Sequence, residues 1–246
     1  MFFREKRSGK MTDMHCHILP AVDDGARDMG QTMDMLRIAQ GEGITAMIVT
    51  PHYKEGRHNA SPATIMERIR EVQEEAERQG IFIPLYPGNE IFYFDGLPER
   101  LENNEVLSLN HTDRVLVEFP PTADHIYIRN ALDSVRAEGY VPVLAHVERY
   151  GCMVRDWKRV RELKQMDAEI QVNAASACGQ LGKQVQRFIH DILQENLVDY
   201  VGTDAHDAHG RAPQFRKCRQ ALAKRFDASY INEIFYENAL TIINAE

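Results

Sequence analysis

The sequence has few cysteines and no closely spaced pair of them. Only four occur among 246 residues, and none shows the CxxC spacing of thiolate metal sites: Cys16, Cys152, Cys178 and Cys218. Scattered cysteines in a chain of this size are typical of reduced thiols inside the cell. The pattern argues against a disulfide framework and a cysteine-type zinc site, and it predicts a cytoplasmic location.

Long apolar runs are also absent. No stretch reaches the roughly 18 apolar residues that a membrane span requires, and the basic start, Met1–Lys10, lacks the apolar segment of a secretion signal. The sequence therefore predicts no membrane insertion. No repeat or linker divides the chain, so we interpret residues 1–10 as a flexible leader and 11–246 as a single domain.

Several catalytic signatures are missing. No cysteine is followed six positions later by arginine, which argues against a thiol phosphatase, and GxSxG, GxGxxG and GxxxxGK[ST] do not occur. The formal net charge is −8. Because nucleic-acid binders carry a basic face that neutralises phosphates, this acidic balance predicts no nucleic-acid partner.

What the sequence does contain is a regular alternation of short apolar runs with amphipathic helical stretches. The predicted strands are Lys10–His15, Thr45–Thr50, Ile81–Tyr86, Arg114–Glu118, Val141–Ala145, Glu169–Val172 and Val198–Gly202. The predicted helices are Gln31–Glu42, Pro62–Gln79, Ala123–Glu138, Asp156–Gln165, Leu181–Glu195, Pro213–Phe226 and Asp227–Asn244. Such alternation predicts an α/β fold with parallel strands. Seven units fit a distorted seven-stranded, TIM-like (β/α)7 barrel, with an open doubly wound sheet as the alternative.

Almost every predicted strand is followed by a side chain that can bind a metal ion. Alternate residues of an extended segment face one side, so His15 and His17 can face the same cation. Any one of these residues alone is more often structural, but their recurrence at one edge of a parallel fold favours a shared site. The candidate metal ligands are His15, His17, Asp24, His52, Glu90, Glu118, His146, Asp204 and His206. Nitrogen and oxygen donors suit Mn, Zn or Fe, and nine ligands favour two or three ions.

Two arginines lie on loops that also carry candidate ligands. Arg149 follows His146 by three residues, and Arg211 follows His206 by five. A guanidinium matches phosphate oxygens bidentately, so this placement favours a phosphate substrate over an amide.

As a set, the motifs resemble those of the PHP (polymerase and histidinol phosphatase) superfamily. The resemblance rests on DMHCH at 13–17, DDG at 23–25, TPH at 50–52, GNE at 88–90, AHVERY at 145–150 and TDAH at 203–206. Their order is most similar to the manganese-dependent protein-tyrosine phosphatases of bacterial capsule and exopolysaccharide operons. The resemblance implies a PHP barrel with three divalent ions, commonly manganese. It also implies a phosphotyrosine substrate, the tyrosine-rich tail of a bacterial tyrosine kinase that controls polysaccharide synthesis.

The same resemblance implies how the site residues divide. The nine candidate ligands hold the metals, Arg149 and Arg211 hold the phosphate, and Asp204 and His206 count as catalytic as well as metal-binding. The mechanistic hypothesis is direct attack on phosphorus by a metal-bridging hydroxide, with no phosphoenzyme. The alternatives are a PHP phosphatase for a small metabolite such as histidinol phosphate, and a catalytically silent barrel that binds a partner.

Overall fold

The computed structural model describes residues 9–245, so most of the predicted leader, residues 1–8, lies outside the described part of the chain. The strands are β1 (Met11–Cys16), β2 (Ile44–Val49), β3 (His52–Lys54), β4 (Leu85–Pro87), β5 (Glu90–Phe92), β6 (Arg114–Glu118), β7 (Val141–Leu144), β8 (Glu169–Asn173) and β9 (Tyr200–Gly202). The helices are α1 (Met29–Glu42), α2 (Pro62–Arg78), α3 (Leu97–Glu102), α4 (His125–Ala137), α5 (Gly151–Arg155), α6 (Lys158–Lys164), α7 (Ala174–Ala177), α8 (Lys183–Gln194), α9 (Arg216–Leu222), α10 (Ala228–Asn232) and α11 (Asn238–Ile243). Short 3-10 turns occur at Leu109–His111 and Val147–Arg149, and a π-helical turn, Glu233–Glu237, joins α10 to α11.

All paired strands are parallel, as the alternation predicts. One sheet has the order β1-β2-β4, and the other has the order β3-β5-β6-β7-β8-β9. A further parallel bridge joins Cys16, at the end of β1, to Ala205, just after β9. The fold is therefore α/β with parallel sheets whose outer members, β1 and β9, lie side by side.

Two of the predicted strands are each followed by a second short strand that the sequence did not predict. The run predicted as Thr45–Thr50 ends at Val49, and β3 resumes after Pro51, which has no amide hydrogen to donate to a ladder. Similarly, β4 and β5 are separated by Gly88 and Asn89. The predicted strand Ile81–Tyr86 was wrong in its first four residues. Ile81 and Ile83 are buried in alternation with exposed neighbours, but the ladder with β2 begins only at Leu85.

The helix boundaries follow from capping chemistry. Ser61 accepts a hydrogen bond from the Thr64 amide at the start of α2, with Pro62 in the first turn, as the sequence predicts. Gly80 and Gly139 have φ of 71° and 89° where α2 and α4 give way to the following segments. The predicted terminal helix Asp227–Asn244 is divided by the π-helical turn.

The core has an outer and an inner part. The larger cluster packs the helices against the sheets. The smaller cluster joins residues from β1, β2, β6, β7 and β9 to the terminal helix α11: its members include Met14, Ile48, Leu116, Val143, Tyr200 and Ile242. Side chains of five strands thus meet one another as well as the helices. No described helix is both long and apolar enough to cross a membrane.

Candidate metal centre

A buried glutamate lies at the centre of the candidate site. Glu90 begins β5, is 1% exposed, and its Oε2 atom has no hydrogen-bond partner among the described residues. Three imidazole nitrogens surround that oxygen: His52 Nδ1 at 3.0 Å, His15 Nε2 at 3.2 Å and His17 Nε2 at 3.3 Å. A buried carboxylate oxygen without a donor is costly unless a cation compensates its charge.

The described residues contain three overlapping groups of donor atoms that can each hold a metal ion. The groups are His17, Asp24, His52 and His206; His15, His17, Glu90 and Asp204; and His52, Glu90 and Glu118. Within each group the donor atoms lie within 4.8 Å of one another. Three residues, His17, His52 and Glu90, each belong to two groups, so the three positions adjoin one another. Eight of the nine predicted ligands take part.

The spacing of the donors is suitable for a cation. Two ligands about 2.1 Å from a tetrahedral ion are separated by about 3.4 Å. His15 Nε2 and His17 Nε2 are 3.3 Å apart, and each lies 3.6–3.7 Å from Asp204 Oδ1. All donors are nitrogen or oxygen. Cys16 is buried, and its thiol donates to the Ile48 carbonyl at 3.5 Å, so it packs away from the histidines as the pleat predicts.

His146, the ninth predicted ligand, belongs to none of the three groups. Its Nε2 atom lies 2.6 Å from Glu90 Oε1 and 3.8 Å from Glu118 Oε2. Its Nδ1 atom is buried without a hydrogen-bond partner in the described chain. The residue also has a left-handed backbone, φ 32°, which is uncommon outside glycine and is often found at functional positions. The structure places His146 against the carboxylates but leaves its ring only partly satisfied.

The site has a buried floor and a more open mouth. His15, His17, Glu90 and Asp204 are at most 2% exposed, whereas the side chain of Asp24 is 70% exposed. Asp24 Oδ1 nevertheless lies 3.4 Å from His52 Nε2 and 3.5 Å from His206 Nε2. The donor group that contains Asp24, together with His17, His52 and His206, is therefore the one open to solvent and to a substrate.

The two predicted phosphate-binding arginines meet at one carboxylate. Arg149, in the turn after β7, donates to Asp204 Oδ2, and Arg211 forms a salt bridge with Asp204 Oδ1 over 2.8 Å. Asp204 follows β9 with φ 53°, and its amide donates to the His15 carbonyl over 2.8 Å. Both guanidinium groups are more than one-third exposed. They face the same rim of the metal-binding groups and keep N–H groups available for an anion.

The surplus of carboxylates controls the protonation of the histidines. Burial opposes charge on His17 and His52, but contacts with Asp23 and Glu90 raise the pKa of His17 to about 9, and Glu118 and Glu90 raise the pKa of His52 to about 11. Burial and the neighbouring His17 lower the pKa of His206 to about 4. Protons on these imidazoles compensate the same negative charge that cations would compensate.

Several residues that support the site were not predicted as functional. Asp23 Oδ2 lies 2.7 Å from His17 Nδ1 and accepts from the His52 amide. Gln171 lies 3.2 Å from His15 Nδ1, and Asn173 donates to Asp204 over 2.8 Å. These contacts fix the orientation of the candidate donor rings and carboxylates. Asp23 lies in the DDG motif at 23–25, whereas the signal for Gln171 and Asn173 is indirect: they alternate along the one predicted strand that is not followed by a candidate ligand.

The similarity of the chain to known proteins identifies its family. The family model for capsular polysaccharide synthesis, CpsB/CapC, matches residues 11–244. The chain belongs to the CpsB/CapC family. Tyrosine-protein phosphatase YwqE from Bacillus subtilis is 33% identical to it over 231 residues, which cover 93% of this chain and 90% of that protein. Tyrosine-protein phosphatase CpsB from Streptococcus pneumoniae is 29% identical over 238 residues, which cover 95% and 98%.

Solved structures support the family and the fold. A chain from the structures described as YwqE from Bacillus subtilis and CpsB from Streptococcus pneumoniae, unique metal-dependent tyrosine phosphatases, superposes with a TM-score of 0.88 at 31% identity. The superposition covers 95% of this CpsB/CapC chain and 94% of the other. The phosphotriesterase homology protein from Escherichia coli has a TM-score of 0.59 at 10% identity over 93% and 96% of the two chains, which shows a similar fold alone. The resemblance predicted from the motifs is confirmed at the level of the family.

Proposed function

We propose that this CpsB/CapC chain is a metal-dependent protein-tyrosine phosphatase that hydrolyses phosphotyrosine monoesters. The observation that carries the proposal is the cluster of three donor groups around Glu90, joined through Asp204 to two half-exposed arginines. Metal ions beside guanidinium groups form a site for a phosphate ester. The relatives named as tyrosine-protein phosphatases give the substrate class.

Three divalent ions, one in each donor group, are part of the proposal. Manganese is the expected ion, with iron or zinc as alternatives. The ligands would be the nine residues His15, His17, Asp24, His52, Glu90, Glu118, His146, Asp204 and His206, with His146 supporting or completing the positions through Glu90 and Glu118. When bound, such ions supply a Lewis acid and lower the pKa of coordinated water, which makes a nucleophile available near neutral pH.

The residues of the chain perform the remaining tasks. Arg149 and Arg211 bind the non-bridging phosphate oxygens and stabilise their negative charge during transfer. Asp204 holds both guanidinium groups at the rim, and Asn173 holds Asp204. The tyrosine leaving group has a pKa of about 10, so it departs as a phenolate without a dedicated acid. His206, whose pKa is lowered to about 4, is neutral at pH 7 and available as a ligand or proton acceptor.

We also propose that the parallel strands close into a distorted seven-stranded barrel. If β2 with β3, and β4 with β5, each count as one interrupted strand, seven positions remain. The bridge between Cys16 and Ala205 joins the first position to the last, and the inner core cluster fills the enclosed space. In such barrels the active site lies at the carboxyl ends of the strands, where the candidate ligands lie.

The proposed substrate is the tyrosine-rich tail of a bacterial tyrosine kinase that regulates capsule or exopolysaccharide synthesis, and the proposed location is the cytoplasm. Support comes from the family description, capsular polysaccharide synthesis, and from the phosphatase names of the relatives. A flexible tail suits a site whose Asp24 and arginines are open to solvent.

The test compares a phosphotyrosine peptide with histidinol phosphate on protein that has been stripped of metal and reloaded with manganese. We expect manganese-dependent phosphate release from the peptide, with kcat/KM at least about tenfold above that for the metabolite. Released phosphate is measured in the reloaded and the stripped protein. A preference for histidinol phosphate would overturn the protein substrate, and equal rates without metal would overturn the metal dependence.

Asp23 provides a test of the metal-binding groups that does not rely on turnover. We expect Asp23→Asn to weaken manganese binding about 10–100-fold, because a carboxylate that accepts from a ligating histidine orients the ring and increases its basicity. Titration of apoprotein with manganese measures the affinity, and the exposed Asp34→Asn serves as the matched control. Unchanged affinity in Asp23→Asn would contradict the assignment of His17 as a ligand.

A further inference from the structure

A cavity opens beside Arg149 and Arg211. It has a volume of about 420 Å³, and its walls come from the loops after β8 and β9 and from the start of α9. Arg149, Asp204 and Arg211 form the side that it shares with the metal-binding groups. Cys178 and Lys217 also line the cavity. The cavity is therefore a side pocket of the phosphate-binding rim.

This side pocket has an excess of positive charge. Three cationic side chains, Arg149, Arg211 and Lys217, line it, against one carboxylate, Asp204. Asp204 Oδ2 already accepts hydrogen bonds from Arg149 and Asn173, and Asp204 Oδ1 forms a salt bridge with Arg211. Lys217 is exposed and forms no salt bridge with a carboxylate within the described residues 9–245. Its ammonium group is thus available to an anion that enters from the phosphate site.

The pocket is too large for the scissile phosphate alone to account for it. Small-molecule sites of about 300–1,000 Å³ enclose whole ligands, and 420 Å³ lies within that range. Polar side chains, including Gln180 and Gln214, line it together with the exposed Leu181. A pocket with cationic, amide and apolar walls suits an amino-acid side chain that ends in a negative charge.

We propose that the side pocket binds a second anionic group of the substrate polypeptide, carried by a residue close to the scissile phosphotyrosine. The proposal rests on the proposed phosphatase function and adds a selectivity to it. Lys217 is the specificity-determining residue: it contacts the second anion while Arg149 and Arg211 hold the phosphate that is released. A carboxylate and a second phosphotyrosine share the required chemistry, and the experiment separates them.

The experiment measures kcat/KM of the manganese-loaded protein for three phosphotyrosine peptides of equal length. They carry glutamine, glutamate or a second phosphotyrosine beside the first. We expect about a tenfold advantage in kcat/KM for at least one anionic peptide over the glutamine peptide, mainly through KM, because a hydrogen bond to a charged group commonly contributes a factor of this size. The anionic peptide with the larger kcat/KM identifies whether the pocket prefers a carboxylate or a second phosphotyrosine.

Lys217→Glu tests the assignment of the residue. We expect the ratio of kcat/KM between the anionic and glutamine peptides to fall from about ten to about one. Lys224→Glu, which changes the charge equally at an exposed position outside the pocket, should keep the ratio of the unmutated protein. An unchanged ratio in Lys217→Glu would overturn the proposal. Absence of phosphate release from all three peptides would instead contradict the proposed function.

Cys178 offers a second measurement that requires no charged substitution. It is the exposed cysteine, and a hydrogen bond with the Cys218 thiol and the nearby Lys217 lower its pKa to about 7. Iodoacetate and iodoacetamide would therefore modify it before the three buried cysteines and would add a carboxylate or a neutral amide to the pocket. We expect the carboxylate to abolish the preference for anionic peptides more strongly than the amide. Equal effects of the two reagents would contradict an anion-binding pocket.

Discussion

Glu90→Gln is expected to abolish metal retention and to lower phosphatase turnover at least about 1,000-fold. Loss of an outer partner of a ligand costs about 10–100-fold in affinity or activity, and Glu90 is more central than such a partner. Its Oε2 atom lies within 3.3 Å of nitrogens from three histidines, and the residue belongs to two donor groups. The side-chain amide of glutamine lacks the negative charge that Glu90 contributes to both donor groups.

Metal content of the purified variant, measured by elemental analysis, is the direct readout for Glu90→Gln. A matched Glu102→Gln change, at an exposed position in α3, should retain metal and activity. Folding of the variant is checked by circular dichroism, because the buried amide must share space with three imidazoles. A folded Glu90→Gln protein with a full complement of manganese would refute the central role of this residue.

Arg149→Ala is expected to lower kcat about 100–1,000-fold, because removal of one donor to a developing negative charge has an effect of this size. The arginine lies at the rim, more than one-third exposed, so its removal creates no large cavity. Metal content should remain close to that of the unmutated protein, since Arg149 contacts Asp204 but is not itself a donor to a cation.

Two control variants sharpen the interpretation of Arg149→Ala. Arg155→Ala removes an exposed guanidinium from the end of α5 and should leave kcat within about twofold. Arg149→Lys keeps the charge but loses the planar fork, so an intermediate loss would indicate bidentate contact with phosphate. Turnover of Arg149→Ala equal to that of the unmutated protein, with metal retained, would remove this residue from the mechanism.

Much of the candidate site was predictable because ligands recur at one topological edge. His15 and His17 follow from the two-residue period of an extended strand, and Glu118 follows from its position at a strand end. Asp24 was also among the predicted ligands, although no strand-end argument selects it. The side chain of Asp24 is largely exposed, and only its proximity to His52 and His206 marks it as a candidate ligand.

The features of the candidate site that the sequence did not predict depend on contacts between distant segments of the chain. The convergence of Arg149 and Arg211 on Asp204 joins loops that are more than 50 residues apart along the chain. Likewise, the amides of Gln171 and Asn173 carry no charge that would identify them in the sequence. They become supporting residues only because β8 lies beside β9.

The strand errors have a local cause. Ile81 and Ile83 show the alternation of a half-buried strand, and their side chains do enter the core, but their backbone forms no ladder. The burial pattern of a segment and its pairing in a ladder are separate properties. A short run of residues predicts the burial pattern but not the pairing. The short strands β3 and β5 were not predicted: they begin after Pro51 and after Asn89, where the ladders of β2 and β4 have already ended.

In the proposed site, the position of Asp204 would couple the binding of the metal ion to the binding of the substrate. Its carboxylate lies between the His15 and His17 nitrogens on one side and two guanidinium groups on the other. In the proposed site, an ion bound to this carboxylate would draw negative charge away from the arginines and leave them freer to hold a phosphate ester. Such linkage is reciprocal: the factor by which the ion favours the ester is the factor by which the ester retains the ion. On the proposed function, substrate and metal would thus strengthen each other's binding through a single side chain.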